Sequence, residues 1–342
     1  MPSLKEIKGR INSISSTLAI TSAMKMVAAA KLQKAQMAIQ NMLPYERRLH
    51  SMLIDLMGAV NMSAPASEEG SARLVSLSNQ PDHTESEGAY SLMAQREVRK
   101  VAIVAFASNS SLCGAFNSNV IREATAVINE YRASGLGDAD ITVYSVGRKM
   151  AEAMKKLGFP SPADFTKMSD SPSYDAASAL AQELFDGFVS GRFDKVELVY
   201  NHYKSTSSQP TTRQTYLPLS LADATADIQV GKITDSASES YADKVAEPVV
   251  RQNSPTTETP DLIVEPSKEE LIATLLPKVV RLRVFTTLLD STAAEHAART
   301  VAMQLATDNG NDLLQELTLE YNKGRQQKIT SEILDIVGGS MQ

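Results

Sequence analysis

The 342-residue sequence predicts an α/β fold in which a strand-and-helix domain is inserted between two long terminal helices that pair as an antiparallel coiled coil. Three observations predict it. Leu4, Ile7, Ile11, Ile14 and Leu18 are spaced three and four apart, as in the seam of a coiled coil. A second helical pattern runs from Ser267 to Val337. Between the two, β-branched strands alternate with helices, which argues a small sandwich with a partly parallel sheet and an antiparallel edge.

The first helix continues through Met24, Val27, Ala30 and Ala35 to Leu56, interrupted only by Pro44. About 55 residues at 1.5 Å each make a rod of roughly 80 Å, far beyond the ~10–14 residues usual in a globular core. In the stretch "AITSAMKMVAAAKLQKAQ", 19–36, the apolar residues are mostly alanine, and Lys25, Lys31 and Lys34 sit among them on more than one face. Such a thin helix buries little against its own fold. The domain plan is an N-terminal coiled-coil helix over 1–57, a flexible insertion over 58–97, an α/β domain over 98–219, an acidic flexible linker over 220–262 and a C-terminal coiled-coil helix over 263–342.

Within the α/β domain, "VRKVAIVAFAS" suits a strand buried on both faces. The loop "SNSSLCGAFNSN" leads into a helix from about Val120 to Tyr131. "ITVYSVG" is a second strand, followed by helices at Met150–Leu157 and over "SYDAASALAQELFDGFVSG". "KVELVYNHYKS" and "PTTRQTYLPLS" are two strands joined by a Ser/Thr-rich turn.

The last helix opens with a capping box, Ser267 with Glu270 three residues on, and stops at Gly338-Gly339. Pro277 should kink it or mark a boundary. By turn chemistry "TDNGND", Thr307 to Asp312, is a helix break, and Gly324 is a weaker objection. If the helix is continuous, these small and polar residues suit close approach to a partner surface. Leu313, Leu314, Leu317 and Tyr321 form one stripe, continued by Ile329, Ile333 and Ile336. Arg299, Arg325, Gln326, Gln327 and Lys328 are left to face something else.

Composition narrows the function classes. No apolar run reaches the roughly 18 residues of a membrane span, and there is no secretory h-region, so a soluble, unexported chain is expected. Cys113 is the only cysteine, and His50, His83, His202 and His296 include no close pair, which argues against a disulfide or a metal centre. Residues 3–50 hold eight Lys/Arg against Glu6 and Glu46, whereas 220–262 hold eight acids against Lys232, Lys244 and Arg251. A basic helix fits nucleic acid, an anionic membrane, a transit peptide, an acidic protein partner or plain solvation. A transit peptide should be Arg-rich and free of acids, which this segment is not. Cys113 follows the first strand, where α/β folds place catalytic groups, but no histidine is near it in sequence and a structural turn at Gly114 is the simpler reading. The same loop has one glycine where a phosphate cradle wants several.

The two ends of the chain carry more. "IKGRINSISSTLAITSAMKMVAAAKLQKAQ" (7–36) and "EHAARTVAMQLATDNGNDLLQELTLEYNKGRQQKITSEILDIVGG" (295–339), with "LCGAFNSNV" (112–120) and "EPSKEELIATLLP" (265–277) between them, resemble the γ subunits of F-type ATP synthases. The resemblance covers the chain except the two linkers. It implies a central-stalk rotor with a Rossmann-like α/β foot, non-catalytic and without cofactor or metal. Its partners would be the alpha and beta subunits of a hexameric ring, an epsilon subunit and a membrane c ring. It would touch the membrane only through that ring, on the cytoplasmic face of a bacterial inner membrane, and bind no nucleic acid. The last helix would be continuous through "TDNGND". Met24 and Lys25, with Arg299 on the opposing helix, match positions facing an acidic loop of the beta subunit. Arg325, Gln326, Thr330 and Glu332 match positions meeting its catch loop. Where the family reads Ser-Asp-(Arg/Lys)-Gly-Leu-Cys-Gly, this chain has "SNSSLCG". The two-cysteine redox switch of the chloroplast form has no counterpart, since Cys113 is alone. The alternative is an α/β enzyme or nucleotide-binding domain with a coiled-coil dimerisation arm.

Overall fold

The computed structural model describes residues 3–62, 92, 96–219, 264–265 and 267–340. The expected linker at 220–262, and residues 63–91 and 93–95 of the expected insertion, lie outside the described residues.

Two helices frame everything else. Helix α1 spans Leu4–Met62, running a few residues past the expected end at 57 and passing through Pro44. Helix α6 spans Lys268–Ser340. At 1.5 Å per residue they are about 88 and 110 Å long. The Oγ of Ser267 accepts from the backbone N–H of Glu270 at 3.2 Å, so α6 starts where its capping residues stand.

Helix α6 is continuous, as the resemblance implies and against local turn chemistry. It runs through Pro277, which loses one ladder bond but lies between Leu276, Val279 and Val280, all buried in the core. It also runs through Thr307–Asp312 and on to Ser340, beyond the expected stop at Gly338-Gly339. Packing explains Gly310: a Cβ there would stand 2.7 Å from Leu18 Cδ2 of α1. Gly324 is similar, its Cβ position lying 3.2 Å from Leu4 Cδ2. These glycines admit the neighbouring helix rather than break their own.

Between the long helices lie β1 (Val101–Phe106), α2 (Phe116–Ala133), a 3-10 turn (Asp138–Asp140), β2 (Ile141–Val146), α3 (Arg148–Lys156), α4 (Thr166–Asp170), α5 (Tyr174–Val189), β3 (Lys195–Asn201) and β4 (Thr211–Leu217). The sheet order is β2-β1-β3-β4. β1 pairs parallel with β2 and β3, and β4 adds an antiparallel edge, as the alternation of elements predicts. The short α4 has no periodicity by which sequence could reveal it.

One sheet face, with Ile103 and Ala105, packs on Val120, Ala124 and Ile128 of α2 and Met150 and Met154 of α3. The other, with Val104 and Leu198, packs on Leu180 and Leu184 of α5 and the lower ends of the long helices, through Leu49, Leu53, Ile272, Leu276 and Leu288. The domain and the base of the helix pair therefore share one core. Gly147, at φ 93°, makes the turn from β2 to α3; a Cβ there would lie 2.0 Å from the Ala107 carbonyl oxygen, so only glycine fits.

One charge is buried in this sheet. Glu197 on β3 accepts from Tyr131 Oη at 2.6 Å and from Arg213 Nε at 2.7 Å, with Lys195 Nζ 2.7 Å away. Burial pushes its pKa up, but Arg213, Lys195 and Tyr131 together outweigh burial and leave it below the ordinary glutamate value.

Candidate functional site

The exposed length of the helix pair is the candidate site, and its register follows from a ladder of contacts. Leu4 meets Gly324 and Leu18 meets Gly310. Thr307 Oγ1 bonds Thr21 Oγ1 at 3.1 Å. Leu32 and Ala35 pack on Ala293 and Ala297, and Thr286 Oγ1 donates to Glu46 at 3.1 Å. As one number rises the other falls, so the helices run in opposite directions. The seam residues of α1 face this ladder, with Ile7 buried and Leu4, Ile11, Ile14 and Leu18 half-buried. Alanine at the middle contacts lets the backbones approach closely.

Helix α1 begins at Leu4, opposite Gly324, so residues 325–340 of α6 extend past its start. These sixteen residues add about 24 Å of single helix. Ile329, Ile333, Leu334 and Ile336 on it are exposed, the last to 72 %. The stripe of isoleucines therefore continues beyond the helix that covers Leu317. Large apolar side chains left open in this way mark a surface that meets something else.

Arg325, Gln326, Thr330 and Glu332 all lie exposed on this overhang. Thr330 Oγ1 donates to the Gln326 carbonyl at 2.9 Å, and Glu332 lies 3.7 Å from Lys328. Met24 and Lys25 are half-buried on α1, next to the Thr21–Thr307 contact, with Met26 and Val27 exposed beside them. Lys25, Lys31 and Lys34 form no ion pair among the described residues.

Arg299 sits differently. The ladder places it about one turn from the level of Lys25, toward the α/β domain. It is buried, with Nη2 on Glu295 at 2.5 Å and Nη1 donating to the Ser111 carbonyl at 2.7 Å. The structure thus brings Met24 and Lys25 to one surface and the four α6 residues to another, and turns Arg299 inward. Sequence reading missed the Glu295–Arg299 pair, although the i,i+4 spacing in "EHAAR" is a signal for it.

Further contacts fasten the domain to the helices. His202 Nδ1 lies 2.6 Å from Asp290 Oδ2, and the Tyr203 N–H donates to Asp290 Oδ1 at 2.9 Å. The hydrogen bond with Asp290 raises the His202 pKa above its usual value, against burial. Gln36 Nε2 donates to Tyr203 Oη at 2.7 Å, Tyr216 Oη to the Val280 carbonyl at 2.9 Å, and Arg281 to Gln182 at 2.6 Å. His296 is held down to about 4 by burial, Lys31 and Arg299, so it is neutral at neutral pH.

The loop after β1 has a packed interior. Cys113 is buried against Phe116 and Ala294, and its sulfur accepts from Asn117 Nδ2 at 3.2 Å. Its polar neighbours are Ser108, Ser110 and Asn117, with no base among them. Asn117 turns back to accept from the Ser108 N–H at 3.0 Å. Among the described residues, no group of three or more His, Cys, Asp or Glu could hold a metal ion, and no helix is long and apolar enough to cross a membrane.

Known proteins match this sequence end to end. The ATP synthase family model matches residues 3–341. The ATP synthase gamma chain of Phocaeicola vulgatus is 49 % identical over 341 residues, covering 100 % of both chains. That of Bacteroides thetaiotaomicron is 47 % identical over 342 residues, again covering 100 % of each. A chain in the structure of the Euglena gracilis mitochondrial ATP synthase OSCP/F1/c-ring superposes with a TM-score of 0.55 at 18 % identity, over 99 % of this chain and 93 % of that one. With a mixed α/β fold, two long helices and relatives of its own length, the chain belongs to the ATP synthase family, as one of its gamma chains.

Proposed function

We propose that this gamma chain is the central-stalk rotor of an F-type ATP synthase, transmitting rotation between a membrane c ring and a hexamer of alternating alpha and beta subunits. The observation that carries this reading is the graded helix pair: a broad base sharing a core with the α/β domain, a narrow alanine-lined middle, and a single exposed helix at the far end. In this reading the helices are an antiparallel coiled coil standing in the hexamer. The Rossmann-like domain over 98–219 is a foot resting with an epsilon subunit on the c ring. The chain is peripheral, reaching a bacterial inner membrane from the cytoplasmic face through that ring, and performs no catalysis itself.

The mechanism follows from asymmetry. A two-helix rod with unlike faces presents a different surface to each of three beta subunits as ion flow turns it, moving their sites successively through binding states. Met24 and Lys25 meet an acidic beta loop, and Arg325, Gln326, Thr330 and Glu332 meet the catch loop nearer the tip. Methionine and alanine make contacts of low specificity, so the rod does not lodge. Exposed lysine–carboxylate pairs are worth only about 0–1 kcal/mol each, which suits contacts remade at every step.

The test mixes the full chain with alpha and beta subunits of the same organism. One copy should co-elute with each hexamer, and Lys25→Glu should change sustained ATP hydrolysis. A chain that stays separate, or hydrolyses ATP alone, overturns the reading.

A further inference from the structure

The loop between β1 and α2 is held in a conformation its own residues do not favour. Leu112 adopts φ 68°, a left-handed backbone that a bulky side chain rarely takes, and its side chain is 59 % exposed. Gly114 follows at φ 59° and approaches the shaft, its Cβ position lying 3.8 Å from the Ala302 Cβ. Strained backbone persists only where its surroundings over-determine it. Two groups do so. Cys113 is buried beside Ala294 of α6 and Phe116 of α2. On the other side of the strained residue, the carbonyl of Ser111 accepts the Arg299 guanidinium at 2.7 Å.

The second fastening is electrostatically complete. Arg299 and Glu295 share one face of α6, and each side chain is only 10 % exposed. The charged groups facing Glu295 are Arg299, then Asp170 of α4 and Lys31 of α1. A buried guanidinium is costly unless paired; Glu295 supplies the counter-charge, which frees a second N–H to bond a neutral carbonyl on another part of the fold. The planar fork of arginine spans both acceptors at once, as an ammonium cannot.

We propose that Arg299 is a positioning residue, which with Glu295 latches the 108–114 loop to α6 and so holds Leu112 outward beside the shaft. This rests on the rotor reading, and it gives Arg299 a role inside the chain in place of a beta-facing one. Lost from the latch, the loop relaxes from its left-handed kink while the shared core keeps the foot on α6.

The experiment uses the full chain, free and in the reconstituted membrane enzyme. Amide hydrogen exchange over 108–114 in Arg299→Ala should be at least tenfold faster than in wild type, with Arg299→Lys intermediate. Exchange across 272–290, in and beside the shared core, should stay within twofold of wild type in both variants. Loop exchange within twofold of wild type overturns the latch. Exchange that rises equally across 272–290 overturns the positioning role, since the change is then a general loss of stability. If Arg299→Ala does not fold, Glu295→Gln, which keeps an acceptor but removes the counter-charge, makes the same comparisons and is decided by the same limits. Failure of the wild-type chain to join the hexamer would instead strike the rotor reading, leaving the exchange result on the free chain to stand or fall alone.

Discussion

Replacing Gly310 by alanine sets two effects of similar size against each other. In an open helix the change stabilises by about 1 kcal/mol, since glycine loses more backbone freedom. Here the new methyl would lie 2.7 Å from Leu18 Cδ2 and 3.2 Å from Cγ. Those atoms end a flexible, half-buried side chain, and moving it off its rotamer costs about 0.5–1.5 kcal/mol. Gly310→Ala alone should therefore be close to neutral. Gly310→Leu cannot be absorbed by one rotamer and should cost about 1–3 kcal/mol. The double change Leu18→Ala, Gly310→Ala opens the space for the methyl, so its cost should be smaller than that of Leu18→Ala alone, with a coupling of about 0.5–1 kcal/mol. Amide exchange across 303–320 in the full chain reads these as protection: unchanged for Gly310→Ala, and about 5- to 150-fold faster for Gly310→Leu. A full gain of protection in Gly310→Ala with Leu18 intact, or no loss in Gly310→Leu, would refute the close approach.

Two paired charges, Glu197 buried and His202 half-buried, give further expectations. Glu197→Ala leaves Arg213, Lys195 and Tyr131 facing an empty place and should destabilise by about 3–5 kcal/mol in denaturant titration. Because the folded-state pKa of Glu197 is depressed, its contribution is present above the unfolded value, and the gap between wild type and mutant should narrow as pH falls through the folded one. His202 has the opposite sign. Its pKa is raised by Asp290, so the contact is at full strength below the unfolded value and is lost as pH rises through the folded one. An NMR titration should place His202 above about 6.5 in wild type and lower in Asp290→Asn; an unchanged midpoint would rule out the pair as the cause.

The parts of the fold most legible in the sequence are those with one dominant local cause. "VAIVAF" is apolar throughout and "ITVYSV" nearly so, broken by Thr142 and Ser145, because both faces of the sheet are covered, and β1 and β2 are buried along nearly all their length. Ser267 with Glu270 marks the start of α6 because a capping hydroxyl acts within one turn. Local chemistry misleads where the cause is remote. Thr307–Asp312 reads as a turn until Leu18, almost 300 residues earlier, is seen to need the space at Gly310. Pro277 reads as a boundary until its flanking Leu276 and Val279 are seen in the core. Of the candidate site, the exposed residues of the overhang could be picked out by pattern and resemblance. The inward turn of Arg299 could not, since it depends on the carbonyl of Ser111, which no side-chain pattern encodes.

The end of α1 opposite Gly324 has a mechanical consequence. Resistance to twisting rises steeply with the breadth of the braced cross-section, so stiffness along this molecule comes in three grades: one helix over 325–340, two helices below it, and two helices welded to a sheet at the base. Twisted between its ends, the chain stores most strain per unit length in the single helix and least in the base. The tip would act as a soft spring in series with a stiff axle. It would lag and recoil, while the widest part follows its drive almost without delay.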